Sequence, residues 1–243
     1  METRAKERHA REQAEYEAKM AARAAKAAAT GQKPRGRPLV PPAEGPGATD
    51  QVNLTDEESR SMPVPGGGFE RCYNAQAVVA AGCLLVVATD VVQAANDKQQ
   101  VEPMLGKLAA LPPALGEAET LLADNGYCSE ANVQACVAAD IDPLMAMGRQ
   151  PHHPPLTARF TPDPPPPDTP TPLEAMAHRL RTQEGRALCA LRKHTPEPVF
   201  GIIKAALGFR QFLLRGLDKV RGEWNLVTMA YNLKRLFALA GAG

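Results

Sequence analysis

The 243 residues include 28 lysines and arginines against 27 aspartates and glutamates, and 5% of the chain is aromatic. A chain of this length has room for one large hydrophobic core or two small ones. No apolar run approaches the roughly 20 residues of a membrane-spanning helix, and the charged N-terminus predicts no secretory signal. The five scattered cysteines have no CxxC spacing, which favours reduced thiols in a cytoplasmic protein over a disulfide framework.

Charge is segregated along the chain. Lysine and arginine are in excess over residues 1–38 and 179–243, whereas aspartate and glutamate are in excess over residues 39–178. Basic ends beside an acidic middle suit a protein that holds DNA at its periphery and divalent metal at its centre. Solvated helix faces would produce similar blocks. The pattern therefore favours nucleic-acid binding and leaves solvated helix faces as the alternative.

The first 50 residues differ in composition from the rest. Residues 1–29 are rich in alanine and charged side chains and contain neither glycine nor proline, which predicts a polar helix with too thin an apolar stripe to bury much. Residues 30–50 are rich in proline and glycine and are therefore predicted to be a linker.

Residues 51–148 are predicted to form the first part of an α/β core. Alternating and β-branched runs predict strands, Gly82 predicts a hairpin turn, and periodic patterns with a cap such as Ser129 predict helices. In order, we expect strands over 51–56, 72–80 and 84–92, a helix over 98–110, a strand ending at 123, a helix over 130–139 and a strand over 141–145. This order predicts a mixed sheet, with a three-strand antiparallel meander plus parallel strands and flanking helices, as in an RNase H-like fold.

The remainder of the chain is interrupted and then helical. Residues 149–172 are a proline-rich insertion that cannot join a core. Residues 173–243 are predicted to be a helical part that completes the core. Apolar side chains spaced by three and four residues, from Leu217 to Tyr231, predict a final amphipathic helix.

Acidic side chains placed at strand ends are the candidates for chemistry. Asp124 follows a short apolar run and precedes a glycine turn, so it is expected at the mouth of the sheet, where a carboxylate suits Mg²⁺. Asp56 and Glu197 are candidates for the same site, since two-metal sites need shared acidic ligands. Asp90, late in the third strand, competes with Asp56, while Asp97 is interpreted as a helix cap.

Several segments resemble the DDE transposases of bacterial insertion sequences over about residues 50–240. They are Leu-Ala-Asp-Asn-Gly-Tyr-Cys-Ser-Glu (122–130), Cys-Tyr-Asn-Ala-Gln-Ala-Val (72–78), Glu-Pro-Val-Phe-Gly-Ile-Ile-Lys (197–204) and Gly-Phe-Arg-Gln-Phe-Leu-Leu-Arg-Gly (208–216). The resemblance implies an RNase H-like core, two Mg²⁺ or Mn²⁺ ions, and cleavage and strand transfer at the ends of an element.

The resemblance also implies roles for the acidic residues. Asp124 would be the second metal-binding aspartate and Glu197 the closing glutamate, with Asp56 as the first aspartate. Many relatives carry a tyrosine and an arginine before that glutamate, and here Cys189 stands at the tyrosine position. Pro196 stands where relatives usually have an apolar residue and is expected to start the helix at Glu197.

Basic residues around the glutamate are predicted to bind DNA. Arg192 and Lys204 match the arginine and lysine that relatives carry on either side of the glutamate. A helix over this segment would place Lys193, Glu197 and Lys204 on roughly one face. The DNA-binding set is completed by two arginines of the following segment, Arg210 and Arg215.

Full transposases of this kind carry a helical DNA-binding region before the catalytic core, and here only a short charged helix precedes it. We therefore expect this chain to be the C-terminal part of a longer transposase, a truncated copy that is either active or inactive. Its partners would be double-stranded DNA, at element ends and target, and a second copy or a full-length transposase, in the cytoplasm at the nucleoid. A non-enzymatic remnant that binds DNA or transposase and a metal-dependent nuclease are the alternatives.

Overall fold

A computed structural model describes residues 2–31, 37–48, 52–64, 66–148 and 162–241. The chain separates into two compact units, Met1–Glu57 and Glu58–Gly243. The first unit contains helix α1 (Glu2–Thr30), as predicted from its alanine-rich composition. In its described part, the predicted linker has no regular secondary structure, and the Arg8 guanidinium donates a hydrogen bond to the Gly45 carbonyl at 2.9 Å.

The second unit is a mixture of short strands and helices. Its strands are β1 (Arg60–Pro63), β2 (Phe69–Cys72), β3 (Asn74–Val79), β4 (Val86–Val92), β5 (Thr120–Ala123) and β6 (Asp142–Met145). Its helices are α2 (Val101–Ala109), α3 (Glu130–Ala138), α4 (Pro172–Arg179), α5 (Gln183–Leu191), α6 (Pro196–Ala205) and α7 (Leu217–Ala240). The predicted α/β class with a helical C-terminus is confirmed, and none of the described helices is long and apolar enough to cross a bilayer.

The strands of the described residues form three two-stranded sheets. β1 pairs with β2 and β3 with β4, both antiparallel, while β5 pairs with β6 in parallel. The predicted three-strand meander is therefore wrong for the described residues, and so is the strand predicted over 51–56, of which residues 52–56 are irregular. The Asn53 side chain accepts a hydrogen bond from the Thr55 amide at 3.0 Å, a local turn that competes with strand pairing.

The predicted strand over 72–80 is divided between two hairpins. The first hairpin runs from β1 to β2, which ends at Cys72. Its turn contains Gly66, Gly67 and Gly68, all at positive φ, where glycine has no steric penalty. β3 begins at Asn74 and pairs with β4 around the expected turn at Gly82.

One hydrophobic cluster holds the β3–β4 hairpin against the C-terminal helices. Val91, Val199, Ile203 and Val220 are at most 1% exposed, and Trp224 stacks on Phe200 with ring centroids 5.7 Å apart. The Trp224 indole also donates to the Gln76 carbonyl of β3 at 2.9 Å. The apolar periodicity that predicted the final helix thus corresponds to its buried face, which includes Val220, Trp224 and Tyr231.

A second cluster surrounds the parallel pair β5–β6. Its buried members come from α2, α3, β6, α4 and α5 and from residues directly beside β6 and α4: Val101, Leu105, Val133, Cys136, Ile141, Leu144, Met145, Met176, Leu180 and Cys189. The helix predicted over 98–110 begins at Val101, so Pro103 falls in its first turn. A proline there breaks no intrahelical hydrogen bond.

Candidate active site

Asp124 stands at the carboxyl end of β5, as the apolar run before it predicted. Its side chain is 68% exposed, and a 3₁₀ turn over Asn125–Tyr127 follows it directly. The Tyr127 amide donates to the Asp124 carbonyl at 3.0 Å, and the Gly148 amide donates to the Asn125 side chain at 2.8 Å. The expected cap of the next helix is also present, because the Ser129 hydroxyl accepts from the Asn132 amide at 3.2 Å.

Arg192 forms an ion pair with the Asp124 carboxylate. It lies in the 3₁₀ turn Arg192–His194, which leads into α6. The arginine side chain is 19% exposed, and its Nε is buried without a hydrogen-bond partner. The ion pair therefore links the turn before α6 to the strand end that carries Asp124.

Glu197 lies in the first turn of α6 and is exposed. Pro196 is the first residue of that helix, as predicted, because its missing amide costs nothing there. Val199 and Ile203 anchor the helix in the core, and Lys204 is exposed in its last turn. Because α6 begins at Pro196, it carries Glu197 and Lys204 seven residues apart, whereas Lys193 belongs to the 3₁₀ turn before it and not to the predicted helix.

Asp90 has an environment unlike that of Asp124. Its carboxylate is 3.1 Å from the Lys107 ammonium and 3.1 Å from the Arg221 guanidinium, and its side chain is 15% exposed. It also accepts from the Val91 amide at 2.7 Å. Two cations already balance this charge, so the geometry favours a structural role for Asp90.

The other predicted site residues are dispersed. Asp56 belongs to the first unit, and Asp124 and Glu197 belong to the second, so the participation of Asp56 remains a prediction. Arg210 and Arg215 are exposed in the segment between α6 and α7. Within the described ranges no three histidine, cysteine, aspartate or glutamate side chains are grouped as a metal centre. Exposed carboxylate oxygens such as those of Asp124 and Glu197 are nevertheless the donors that Mg²⁺ prefers.

Asp97 is not the helix cap that the sequence suggested. The N-cap of α2 is Gln100, which makes no side-chain capping bond. The Asp97 carboxylate instead accepts hydrogen bonds from the side-chain amides of Asn74 and Gln76, each at 2.8 Å. The Tyr127 hydroxyl donates to the Gln76 amide oxygen at 2.6 Å. We call these four residues, Asn74, Gln76, Asp97 and Tyr127, the strand-end network.

Sequence reasoning did not identify the strand-end network. The available signal was the pair of amide side chains at alternate positions of β3, Asn74 and Gln76, since alternate residues of a strand share one face. Burial raises the pKa of Tyr127 to about 12, and the nearby Asp97 charge adds to the rise. Burial and the Asp97 charge thus favour the neutral form of the tyrosine.

The comparison with protein families bears on the C-terminal part of this arrangement. Residues 167–237 match the family described as a transposase DDE domain. The match confirms the resemblance to DDE transposases. The matched part of the transposase DDE domain includes Arg192, Glu197 and Lys204, whereas Asp124 precedes it. No curated protein and no solved structure matches the chain.

The raised pKa of Tyr127 predicts a loss of stability at alkaline pH. The stabilising contribution of the neutral hydroxyl is complete below the unfolded-state pKa of about 10 and is lost as pH rises towards 12. We expect the difference in unfolding free energy between the unaltered protein and Tyr127→Phe to shrink over this window. Urea unfolding at several pH values measures it, and a constant difference would contradict the assignment.

Proposed function

We propose that this chain is the catalytic part of a DDE transposase, which cleaves DNA phosphodiester bonds and transfers the strands in DNA transposition. The observation that carries the proposal is the ion pair between Asp124 and Arg192, which links the strand-end carboxylate to the turn before Glu197. The family match over residues 167–237 supports the same reading. The parallel β5–β6 pair with its packed helices is compatible with an RNase H-like core.

In this proposal Asp124 and Glu197 would hold two Mg²⁺ or Mn²⁺ ions, and Asp56 stays the predicted first aspartate. Such ions lower the pKa of an attacking hydroxyl and stabilise the leaving oxygen. In the structure Arg192 balances the Asp124 charge. Lys204 and Arg192, with Lys193, Arg210 and Arg215, contact backbone phosphates of the DNA, which orients the scissile bond by charge-assisted hydrogen bonds.

The partners proposed for this activity are double-stranded DNA, as element ends and as target, and a second copy or a full-length transposase. The activity would take place in the cytoplasm, at the nucleoid. Exposed basic side chains on α6 and in the segment after it support DNA as the partner, because phosphate contacts are the largest sequence-independent source of affinity.

Replacement of Asp124 tests the enzymatic activity. We expect the chain to nick a supercoiled plasmid carrying the DNA that flanks its gene in the presence of Mg²⁺ or Mn²⁺. Asp124→Asn should abolish nicking, since it removes the charge that holds the metal. The matched control is Asp142→Asn on the adjacent strand, where the carboxylate also pairs with an arginine, Arg179.

Equal loss of nicking in both aspartate variants would contradict the assignment, because it would indicate damage to the fold. DNA binding by the unaltered chain without nicking in either metal would favour the non-enzymatic alternative.

Replacement of Arg192 tests its two proposed roles, because we expect the affinity for Mn²⁺ to rise and the affinity for DNA to fall. The guanidinium and a divalent cation compete for the Asp124 carboxylate, so Arg192→Ala should tighten Mn²⁺ binding, by up to about fivefold for an ion pair of this exposure. The same variant should bind DNA more weakly and reduce the salt dependence of binding by about one counterion. Calorimetry with Mn²⁺ and DNA titrations at several salt concentrations measure both.

Arg179→Ala is the control, since it removes the neighbouring arginine–aspartate pair and should leave Mn²⁺ affinity unchanged. Weaker Mn²⁺ binding in Arg192→Ala would contradict the competition.

A further inference from the structure

We propose that the strand-end network is a positioning device for Asp124, with Tyr127 as the positioning residue that fixes the turn on which the carboxylate stands. The inference rests on the proposed function, because it assigns a purpose to residues beside the proposed metal-binding aspartate. None of the four residues of the strand-end network is proposed to bind metal; they act by orienting Asp124.

Tyr127 is fixed at three points. Its amide donates to the Asp124 carbonyl at 3.0 Å, and its own carbonyl accepts from the Asn132 side chain at 2.6 Å. Its hydroxyl donates to Gln76 at 2.6 Å. Since Tyr127 closes the turn that Asp124 opens, these contacts determine where the Asp124 side chain leaves the strand.

The chemistry of the network allows one arrangement of its protons. The Asp97 carboxylate can only accept hydrogen bonds, so Gln76 must present its amide nitrogen to it. The Gln76 amide oxygen is then left for Tyr127, which must donate. Gln76 is 4% exposed, and its nitrogen also donates to the Asn74 side chain at 2.7 Å. A buried amide with both ends satisfied cannot rotate without breaking these bonds, so it holds the hydroxyl at one place.

Gly126 lets the second oxygen of Asp97 approach the turn. A Cβ added at Gly126 would lie 3.3 Å from Asp97 Oδ2, closer than ordinary van der Waals contact. Because residue 126 lacks a side chain, the Asp97 carboxylate can lie close to the turn that follows Asp124. An alanine there would displace either the Asp97 side chain or the turn.

A merely structural role and a positioning role predict different measurements. Loss of a single buried hydrogen bond costs about 0.5–1.5 kcal/mol of stability wherever it occurs. Loss of a group that orients a metal ligand typically weakens metal binding roughly 10- to 100-fold. The chain offers a matched pair of tyrosines, because the Tyr231 hydroxyl also donates one hydrogen bond, to the Leu84 carbonyl at 2.9 Å, in the cluster around α7.

The experiment compares Tyr127→Phe with Tyr231→Phe in the full chain. Mn²⁺ binding is measured by calorimetry without DNA, amide hydrogen exchange is measured over residues 120–130 without metal, and stability is measured by urea unfolding. We expect Tyr127→Phe to weaken Mn²⁺ binding at least about tenfold and to accelerate exchange at residues 124–128. Tyr231→Phe should lose similar stability with both readouts unchanged. Gly126→Ala, at an exposed residue, should act in the same direction as Tyr127→Phe.

Unchanged exchange and unchanged Mn²⁺ affinity in Tyr127→Phe would overturn the positioning role, and so would equal changes in the two tyrosine variants. If the unaltered chain bound no Mn²⁺ through Asp124, the proposed function would fail, whereas the exchange measurement would still decide whether Tyr127 orders the turn. The two failures are therefore distinguishable.

Discussion

The hydrogen bond between the Tyr127 hydroxyl and the buried Gln76 amide links the β3–β4 hairpin to the turn after β5 and is a main constraint on the second unit. The β3–β4 hairpin and the β5–β6 pair share no backbone hydrogen bonds as sheets, and each has its own hydrophobic cluster. Gln76 joins them, because its backbone carbonyl binds Trp224 in one cluster while its side chain binds the turn after β5. A satisfied polar network of this kind specifies one arrangement where apolar contacts would permit several.

Charge balance distinguishes Asp90, within β4, from Asp124, at the end of β5. Asp90 is enclosed by Lys107 and Arg221, so exchange of either cation for a metal would leave the other unfavourably close to it. Asp124 is paired with a single cation, Arg192, and its own side chain is 68% exposed, so a divalent cation has access to its carboxylate. This difference, together with the turn that leads from Arg192 to Glu197, makes Asp124 the better candidate for metal binding within the transposase DDE assignment.

Local patterns in the sequence predicted much of this structure, and contacts between distant residues account for what they missed. The periodicity of α7, the cap at Ser129 and the strand end at Asp124 depend on neighbours within a few positions, and all three are present. The expected strand over 51–56 failed because the Asn53 side chain forms a turn with Thr55. The role of Asp97 was misjudged because its amide partners come from β3, and the alternation that places them on one face does not show which distant residue they contact.

The central claim is that Asp124 and Glu197 bind the same metal. The most direct measurement is a double-mutant cycle on Mn²⁺ affinity, by calorimetry, with Asp124→Asn, Glu197→Gln and both together. If the two carboxylates share an ion, each single change should weaken binding strongly and the double change should add little to either, since coupled residues are not additive. Independent, additive effects, or full Mn²⁺ affinity in Glu197→Gln, would contradict the shared site.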